Sequence, residues 1–342
     1  MRTVKVFGVL AILLVVATIA AAQGQVLLNA AGATFPYPIY SKWFDVYHSS
    51  HGNVQINYQS IGSGGGIRQL LDKTVDFGAS DGPMNDDQLK QASVPILHFP
   101  TVLGAAVPSY NVPGVQTDLN FTGEALAGIF LGKVSKWNDP AIASANPGVK
   151  LPNTDIVLVH RSDGSGTTYI WTDYLSKVSP EWQTKAGKGT SVNWPVGLGG
   201  KGNEGVSALI QQTPGSLGYV ELIYAVQNKM PYGKVKNSSG AFIKADLAGV
   251  SAAAAAMAKT MPDDFRVSIT DPPSTNKAAY PISSFTWLLI PSKFTDTKKR
   301  DVVKDFLKWM MTDGQQYCEP LAYAKLPKEV VAKELKAIDK IQ

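Results

Sequence analysis

Three glycine- and hydroxyl-rich segments, each directly before an amphipathic stretch, most constrain what this chain of 342 residues can form. They span residues 32–36, 62–66 and 163–168. The start of a helix carries backbone N–H groups without partners and the positive end of the helix dipole, so it attracts anions. Glycine lets such a backbone approach a ligand closely, and serine and threonine add hydroxyl donors. Three such segments in one chain predict a protein that encloses a small tetrahedral oxyanion.

Strand-like and helix-like patterns alternate along the chain, which predicts an α/β fold. A strand over 54–58 precedes the helical stripe Ile67, Leu70 and Leu71, and the last helix is expected over about 299–311. No polar linker marks a domain boundary, so we expect the chain to cross between two lobes in strand-like segments. These crossings are placed near residues 100–106 and 281–285. Lobe I then comprises 23–103 and 282–342, and lobe II comprises 104–281.

The N-terminus has the pattern of a secretory signal peptide. Arg2 and Lys5 precede an apolar run over 6–17, and small residues follow up to Ala22. This pattern predicts a signal peptide over 1–22 with cleavage after Ala22. The single cysteine, Cys318, cannot form a disulfide within the chain, and no cysteine is placed to carry a lipid anchor. We therefore expect a free periplasmic protein.

Charge and metal-ligand patterns argue against several other classes. Without the signal peptide, 30 basic and 27 acidic residues remain, a net charge of +3. The one basic cluster, Lys298, Lys299 and Arg300, is interpreted as a solvated helix face rather than a nucleic-acid surface. His48 and His51 do not have metal-ligand spacing, and the chain has no acidic cluster for calcium or magnesium. No metal, other cofactor or nucleic acid is expected.

Two charged residues bear on the choice of anion. Arg161 directly precedes the third segment, and a guanidinium binds oxyanions through paired N–H groups; the alternative is a surface arginine paired with Asp163. Asp81 carries a carboxylate that only accepts hydrogen bonds, so an anion beside it must supply a proton. Phosphate at neutral pH has one and sulfate has none, which would make Asp81 a selectivity device. The alternative is that Asp81 caps a helix over 86–91.

One motif raises an enzymatic alternative. Residues 78–82 match G-x-S-x-G, the nucleophile elbow of α/β-hydrolases. That fold needs a histidine after the nucleophile, and none of the four histidines lies in the C-terminal half. The sequence therefore favours a binding protein that is not an enzyme. A secreted phosphoryl hydrolase, or the same fold tuned to another oxyanion such as sulfate or molybdate, remains as the alternative.

Several long stretches carry a family resemblance. They are residues 31–36, 58–66, 74–81, 161–168, 194–203 and 215–220. In these stretches the chain resembles the periplasmic phosphate-binding proteins of bacterial ABC phosphate importers, and the resemblance covers nearly all of the mature chain. It implies a two-lobed periplasmic binding protein fold (type II-like), with mixed sheets flanked by helices and a two-stranded hinge. It also implies high-affinity binding of inorganic phosphate between the lobes and delivery to a membrane permease by a monomer.

The resemblance also implies a phosphate site on the three segments and on Asp81. Carried over residue by residue, the expected ligands are Thr34, Phe35, Ser63, Asp81, Arg161, Ser165, Gly166 and Thr167. Asp163 is expected to hold the Arg161 guanidinium in place. Gly64 stands where relatives often have serine and Gly82 where they often have alanine, and neither change removes an expected ligand.

Overall fold

The computed structural model describes residues 24–258, 260–273 and 275–342; the expected signal peptide over 1–22 lies outside them. The strands are β1 (Val26–Gly32), β2 (Val54–Ser60), β3 (Phe77–Ser80), β4 (Ile96–Asn111), β5 (Asn120–Phe121), β6 (Val157–Arg161), β7 (Leu198–Gly200), β8 (Ser216–Glu221), β9 (Lys234–Lys236), β10 (Phe242–Ile243) and β11 (Ser283–Pro291). The helices are α1 (Tyr37–Ser50), α2 (Ser63–Leu71), α3 (Asp86–Gln91), α4 (Gly123–Phe130), α5 (Pro140–Ala143), α6 (Gly166–Val178), α7 (Pro180–Lys185), α8 (Gly202–Gln212), α9 (Leu222–Gln227), α10 (Leu247–Ala258), α11 (Thr297–Met311) and α12 (Lys328–Ala337). Three short 3₁₀ helices lie near the C-terminus, over Asp313–Tyr317, Glu319–Leu321 and Ile338–Lys340.

The main sheet has eight strands in the order β2-β1-β3-β11-β4-β8-β6-β7. Strands β2, β1 and β3 are parallel to one another, and so are β8, β6 and β7. The central strands β11 and β4 pair antiparallel with their neighbours. A small second sheet has the order β10-β9-β5. This mixed sheet with helices around it confirms the predicted α/β class.

The long strand β4 belongs to both halves of the main sheet. Its first part, residues 96–105, pairs with β11, and its last part, residues 106–111, pairs with β8. The two segments expected to cross between lobes lie side by side, since Ala105 pairs with Ser283 and Leu103 pairs with Phe285. The two expected crossing segments are therefore adjacent antiparallel strands.

The helices pack against the sheet through the apolar faces that the sequence spacing predicts. In α1 the buried residues include Ile39, Trp43 and Tyr47, and in α6 they include Ile170 and Trp171. Spacings of three and four residues place these side chains on one face of each helix. Within the described residues, none of the helices combines the length and apolar character needed to cross a bilayer.

Two local predictions are wrong. The sequence pattern indicates a turn over residues 63–66 before the helical stripe, but these residues form the first turn of α2, because glycines can adopt helical dihedrals as well as turn dihedrals. The helix over 299–311 is not the last one, since α12 follows it. The buried face of α12 consists of Val330, Glu334 and Ala337, and the glutamate in its middle hides the apolar periodicity.

Candidate functional site

The candidate site lies where the carboxyl ends of the parallel strands converge. At the end of β3, Ser80 pairs with Trp287, which pairs with Pro100 on β4. At the end of β8, Glu221 pairs with Ala106 on the same strand. Because β3 and β8 run in opposite directions, their carboxyl ends face each other across the middle of β4. Ligands bind in α/β proteins beyond the carboxyl ends of strands, so the topology alone marks this cleft.

The first predicted segment presents two backbone donors. Thr34 and Phe35 follow β1 and are buried, and Gly32 lets β1 end close against Ala79 of β3, where a side chain would collide with the Ala79 carbonyl. Among the described residues, no acceptor pairs with the N–H of Thr34 or of Phe35. Buried N–H groups without partners are costly, so this pair is suited to an anion.

Ser63 and Asp81 meet at the ends of β2 and β3. Ser63 is the first residue of α2 and is fully buried, and its hydroxyl oxygen accepts a hydrogen bond from the Asp81 N–H at 3.2 Å. The Asp81 carboxylate is 1% exposed and accepts a hydrogen bond at 2.8 Å from the Thr286 hydroxyl on β11. One oxygen of the carboxylate is thus held by the protein and the other lies near Gly166 of the opposite half.

Burial changes the protonation of Asp81. It raises the pKa of this carboxyl from 3.8 to about 7, against the opposing effects of the Thr286 hydrogen bond and the Arg161 charge. A carboxyl with this pKa exchanges a proton near neutral pH. It is therefore suited to share a proton with a ligand that also titrates there.

Arg161 ends β6 and carries the main positive charge of the site. Its guanidinium is 1% exposed and binds Asp163 bidentately, with Nε donating to Oδ1 at 2.8 Å and Nη2 donating to Oδ2 at 2.6 Å. Asp163 also accepts the Gly202 N–H at 3.0 Å. Burial raises the pKa of Asp163, but its bonds to Arg161 outweigh that effect and hold the pKa below its ordinary value. The predicted pair exists, but its arginine is buried rather than on the surface.

The third segment forms the start of α6. Ser165 is the N-cap, and its hydroxyl oxygen accepts the Thr168 N–H at 3.0 Å, which leaves its proton free to be donated. The N–H groups of Gly166 and Thr167 have no acceptor among the described residues. This helix end therefore directs a hydroxyl and two backbone donors at the cleft.

Contacts across the cleft bring the two halves together. The Gly64 N–H donates to the Gly164 carbonyl at 2.8 Å, and a side chain on Gly166 would come within 2.5 Å of the Ser63 hydroxyl oxygen. The N-terminal ends of α2 and α6 therefore face each other at backbone contact distance. The structure brings all nine predicted site residues to this one cleft.

Two further residues contact the predicted set. Asn203 is fully buried, and its Nδ2 donates to Thr34 Oγ1 at 2.9 Å and to Thr167 Oγ1 at 3.1 Å. Thr286 holds Asp81, as described above. Asn203 closes the segment 194–203 that carries part of the resemblance, but nothing in its local sequence singles it out. Thr286 lies in an apolar strand pattern and gives no local signal.

The structure also bears on the alternatives. Asp81 does not cap α3, because Asn85 is its N-cap and accepts the Gln88 N–H. The Ser80 hydroxyl of the G-x-S-x-G motif donates to the Gly82 carbonyl at 2.5 Å. His98 does not accept the Ser80 proton; its Nε2 accepts the Met84 N–H. Within the described ranges, no group of three or more His, Cys, Asp or Glu side chains could hold a metal ion.

This fold and cleft define a class. The family model described as "PBP superfamily domain" matches residues 16–314, so the chain belongs to that superfamily. Within it, the chain belongs to the family of the PstS phosphate-binding proteins. It is 47% identical over 308 residues to the phosphate-binding protein PstS of Xylella fastidiosa (strain Temecula1), an alignment that covers 90% of this chain and 83% of that protein.

Solved structures show the same two-lobed fold. A high-affinity periplasmic phosphate-binding protein bound with phosphate, PfluDING, has a TM-score of 0.70 and 21% sequence identity, covering 90% of this chain and 92% of that one. An ABC-type phosphate transport receptor from Vibrio cholerae has a TM-score of 0.56 and 18% identity, covering 88% of this chain and 100% of that one.

Proposed function

We propose that this chain binds inorganic phosphate between two lobes and delivers it to the membrane permease of an ABC phosphate importer. Lobe I comprises 23–103 and 282–342, and lobe II comprises 104–281. The adjacent parts of β4 and β11 form the two-stranded hinge. The PstS relatives are named phosphate-binding proteins, and the Vibrio cholerae neighbour is described as a phosphate transport receptor, which supports this role.

The phosphate oxygens are surrounded by donors from both lobes. Lobe I supplies the N–H and hydroxyl of Thr34, the N–H of Phe35 and the hydroxyl and N–H of Ser63. Lobe II supplies the Arg161 guanidinium, the Ser165 hydroxyl, the Gly166 N–H and the hydroxyl and N–H of Thr167. The guanidinium is already paired with Asp163, so binding relies on fixed dipoles more than on net positive charge.

The observation that carries the proposal is a buried carboxyl among these donors. In its ionised form, Asp81 can be satisfied only by a ligand that presents a proton to its free oxygen. Phosphate retains a proton at neutral pH, whereas sulfate leaves the carboxylate unpaired and repelled. A site built to bond a ligand hydroxyl rejects an analogue lacking it by about 10⁴ to 10⁵.

Closure of the lobes follows from this arrangement. Neither lobe alone presents donors on all sides of a tetrahedral anion, so a bound phosphate stabilises the closed form over the open one. The backbone contact between Gly64 and Gly164 is then made only in the closed form. We infer an exported, periplasmic, monomeric protein that catalyses no reaction.

Calorimetric titration of the ligand-stripped protein tests the proposal. At pH 8, where the Asp81 carboxyl is ionised, phosphate is expected to bind tightly and sulfate to give no heat. Equal binding of both would overturn the role of Asp81 and indicate a general oxyanion binder. Absence of binding by either would overturn the proposed function, and turnover of a chromogenic phosphate ester would then favour the hydrolase.

A further inference from the structure

One buried amide joins hydroxyl groups of the two lobes. Asn203 lies near the start of α8 in lobe II, and its two Nδ2 hydrogens account for two bonds, one to Thr34 Oγ1 and one to Thr167 Oγ1. Thr34 belongs to lobe I and Thr167 to lobe II. The side chain therefore connects one predicted ligand of each lobe.

The orientation of this amide is fixed by the backbone. Asn203 Oδ1 accepts the Glu221 N–H at 2.9 Å, so the nitrogen must face the two threonines. Glu221 ends β8 beside the crossing strand β4. The amide is thus anchored at the hinge and its donor side is turned toward the cleft.

The hydroxyl oxygens of Thr34 and Thr167 each already accept two hydrogen bonds. Thr34 Oγ1 accepts from Asn203 Nδ2 and from the Asn203 N–H at 3.3 Å. Thr167 Oγ1 accepts from Asn203 Nδ2 and from Arg161 Nη1 at 3.3 Å. A hydroxyl has two lone pairs and one proton, so each of these hydroxyls can only donate its proton onward. A ligand oxygen beside them must be an acceptor.

A second group of lobe II acts on the same residue of lobe I. The Tyr224 hydroxyl, from α9, lies 2.6 Å from the Thr34 carbonyl and 3.0 Å from Glu204 Oε1, and we assign its single proton to the nearer carbonyl. That carbonyl belongs to the peptide whose N–H is the Phe35 donor. Because the peptide is planar and trans, holding the carbonyl on one side keeps the N–H directed to the other.

We propose that Asn203 and Tyr224 are positioning residues that orient the donors of Thr34 and Phe35 only when the lobes close. This inference rests on the proposed function. In the open form the Thr34 hydroxyl loses its partners from lobe II and rotates freely. The donor set is therefore completed by closure itself, so these residues act on phosphate release more than on first encounter.

The principal test replaces Asn203 with its isostere, Asn203→Asp. A carboxylate at the same position accepts instead of donating, so the threonine protons turn toward it and their lone pairs toward the anion. Phosphate affinity is expected to fall on the order of 100-fold, since two oriented donors are reversed. Stopped-flow tryptophan fluorescence of the ligand-stripped protein should assign most of the loss to a faster dissociation rate.

A double-mutant cycle separates positioning from a structural role. If Asn203 acts through the hydroxyls, the effect of Asn203→Asp should be about tenfold smaller in a Thr34→Val, Thr167→Val background, where only the repulsion between the new carboxylate and the anion remains, because coupled residues are not additive. Full additivity would overturn the inference.

Tyrosine variants provide a matched pair that does not depend on residue 203. Tyr224→Phe is expected to raise the phosphate dissociation rate about tenfold, because one buried hydrogen bond stabilises the closed form by about that factor. Tyr323→Phe removes another buried hydroxyl, which donates to the Phe35 carbonyl at 2.6 Å within lobe I. That carbonyl belongs to the peptide of Pro36, which has no N–H, so dissociation should stay unchanged while the melting temperature falls.

The outcomes distinguish failure of phosphate binding from failure of the positioning role. If the wild-type protein does not bind phosphate, the proposed function fails. The second outcome is that the wild-type protein binds phosphate and the Asn203→Asp variant has a native circular dichroism spectrum and the same phosphate dissociation rate as the wild type. In that case only the positioning role of Asn203 and Tyr224 fails. If Asn203→Asp does not fold, equal dissociation rates for Tyr224→Phe and Tyr323→Phe overturn it.

Discussion

Replacing Asp81 with asparagine should convert a phosphate-selective site into one that also binds sulfate. The substitution keeps the shape of the side chain and removes only its charge. In the wild type, the Thr286 hydroxyl donates to one carboxylate oxygen at 2.8 Å. In Asp81→Asn, the same hydroxyl favours the amide oxygen on that side, which turns the amide NH₂ toward the anion. An acceptor that excludes sulfate is thereby replaced by a donor that binds it.

The expected magnitude follows from the bonds that change. If the wild-type site rejects sulfate by about 10⁴, the discrimination is worth roughly 5.5 kcal/mol. An unpaired buried charged group accounts for about 3 kcal/mol or more of such a penalty, so Asp81→Asn should gain at least 100-fold in sulfate affinity. Phosphate should change by less than about tenfold, because losing a charge-assisted bond is offset by losing repulsion between the carboxylate and the anion.

The assay is calorimetric titration at pH 8 with each anion. This pH lies above the Asp81 pKa of about 7, so the wild-type carboxyl is ionised while phosphate still retains a proton. Asp72→Asn, which removes the same charge from an exposed position after α2, is the control and should leave both affinities unchanged. A phosphate-to-sulfate ratio in Asp81→Asn equal to that of the wild type would refute the reasoning.

Three other predictions concern the same cleft. The unfolding free energy of the protein without phosphate should contain a contribution from Asp81 that falls as pH rises from about 4 to 7, because the closed native form binds the proton more tightly than the unfolded chain. At 1.36 kcal/mol per pKa unit this contribution is at most roughly 4 kcal/mol, reached when all molecules are closed, and it should be missing from Asp81→Asn in urea melts across that range. Arg161→Lys should weaken phosphate binding about 100-fold and lower the melting temperature, since an ammonium cannot reproduce the bidentate bonds to Asp163; unchanged calorimetric affinity would contradict this. Gly166→Ala should keep the lobes apart, because a side chain there collides with Ser63 and Asp81, so small-angle scattering should show no compaction when phosphate is added.

The sequence allows much of the fold and most of the site to be predicted because both depend on local patterns. Strand ends followed by glycine and hydroxyl residues mark the starts of α2 and α6, and apolar spacing marks their buried faces. The residues that the sequence could not identify act through tertiary contacts. Asn203 bonds partners 36 and 169 positions away, and Thr286 bonds a partner 205 positions away.

Competing local rules explain why the alternative role of Asp81 is not taken and why the last helix was missed. Asn85 rather than Asp81 caps α3, since the capping box that Asn85 forms with Gln88 lies directly at the helix start. In α12 a fully buried Glu334, whose carboxyl oxygens have no hydrogen-bond partner among the described residues, occupies the position where periodicity would place an apolar side chain. Burial raises the pKa of this carboxyl well above its ordinary value, so the protonated, less polar form is favoured there.

A crystal structure of the protein with phosphate is the most direct test of the central claim. The account predicts one phosphate between the lobes, with oxygens within about 3.2 Å of donors from Thr34 and Ser63 on one side and Arg161 and Thr167 on the other, and one oxygen on Asp81. A phosphate held by one lobe alone, or one with no oxygen within that distance of Asp81, would contradict it.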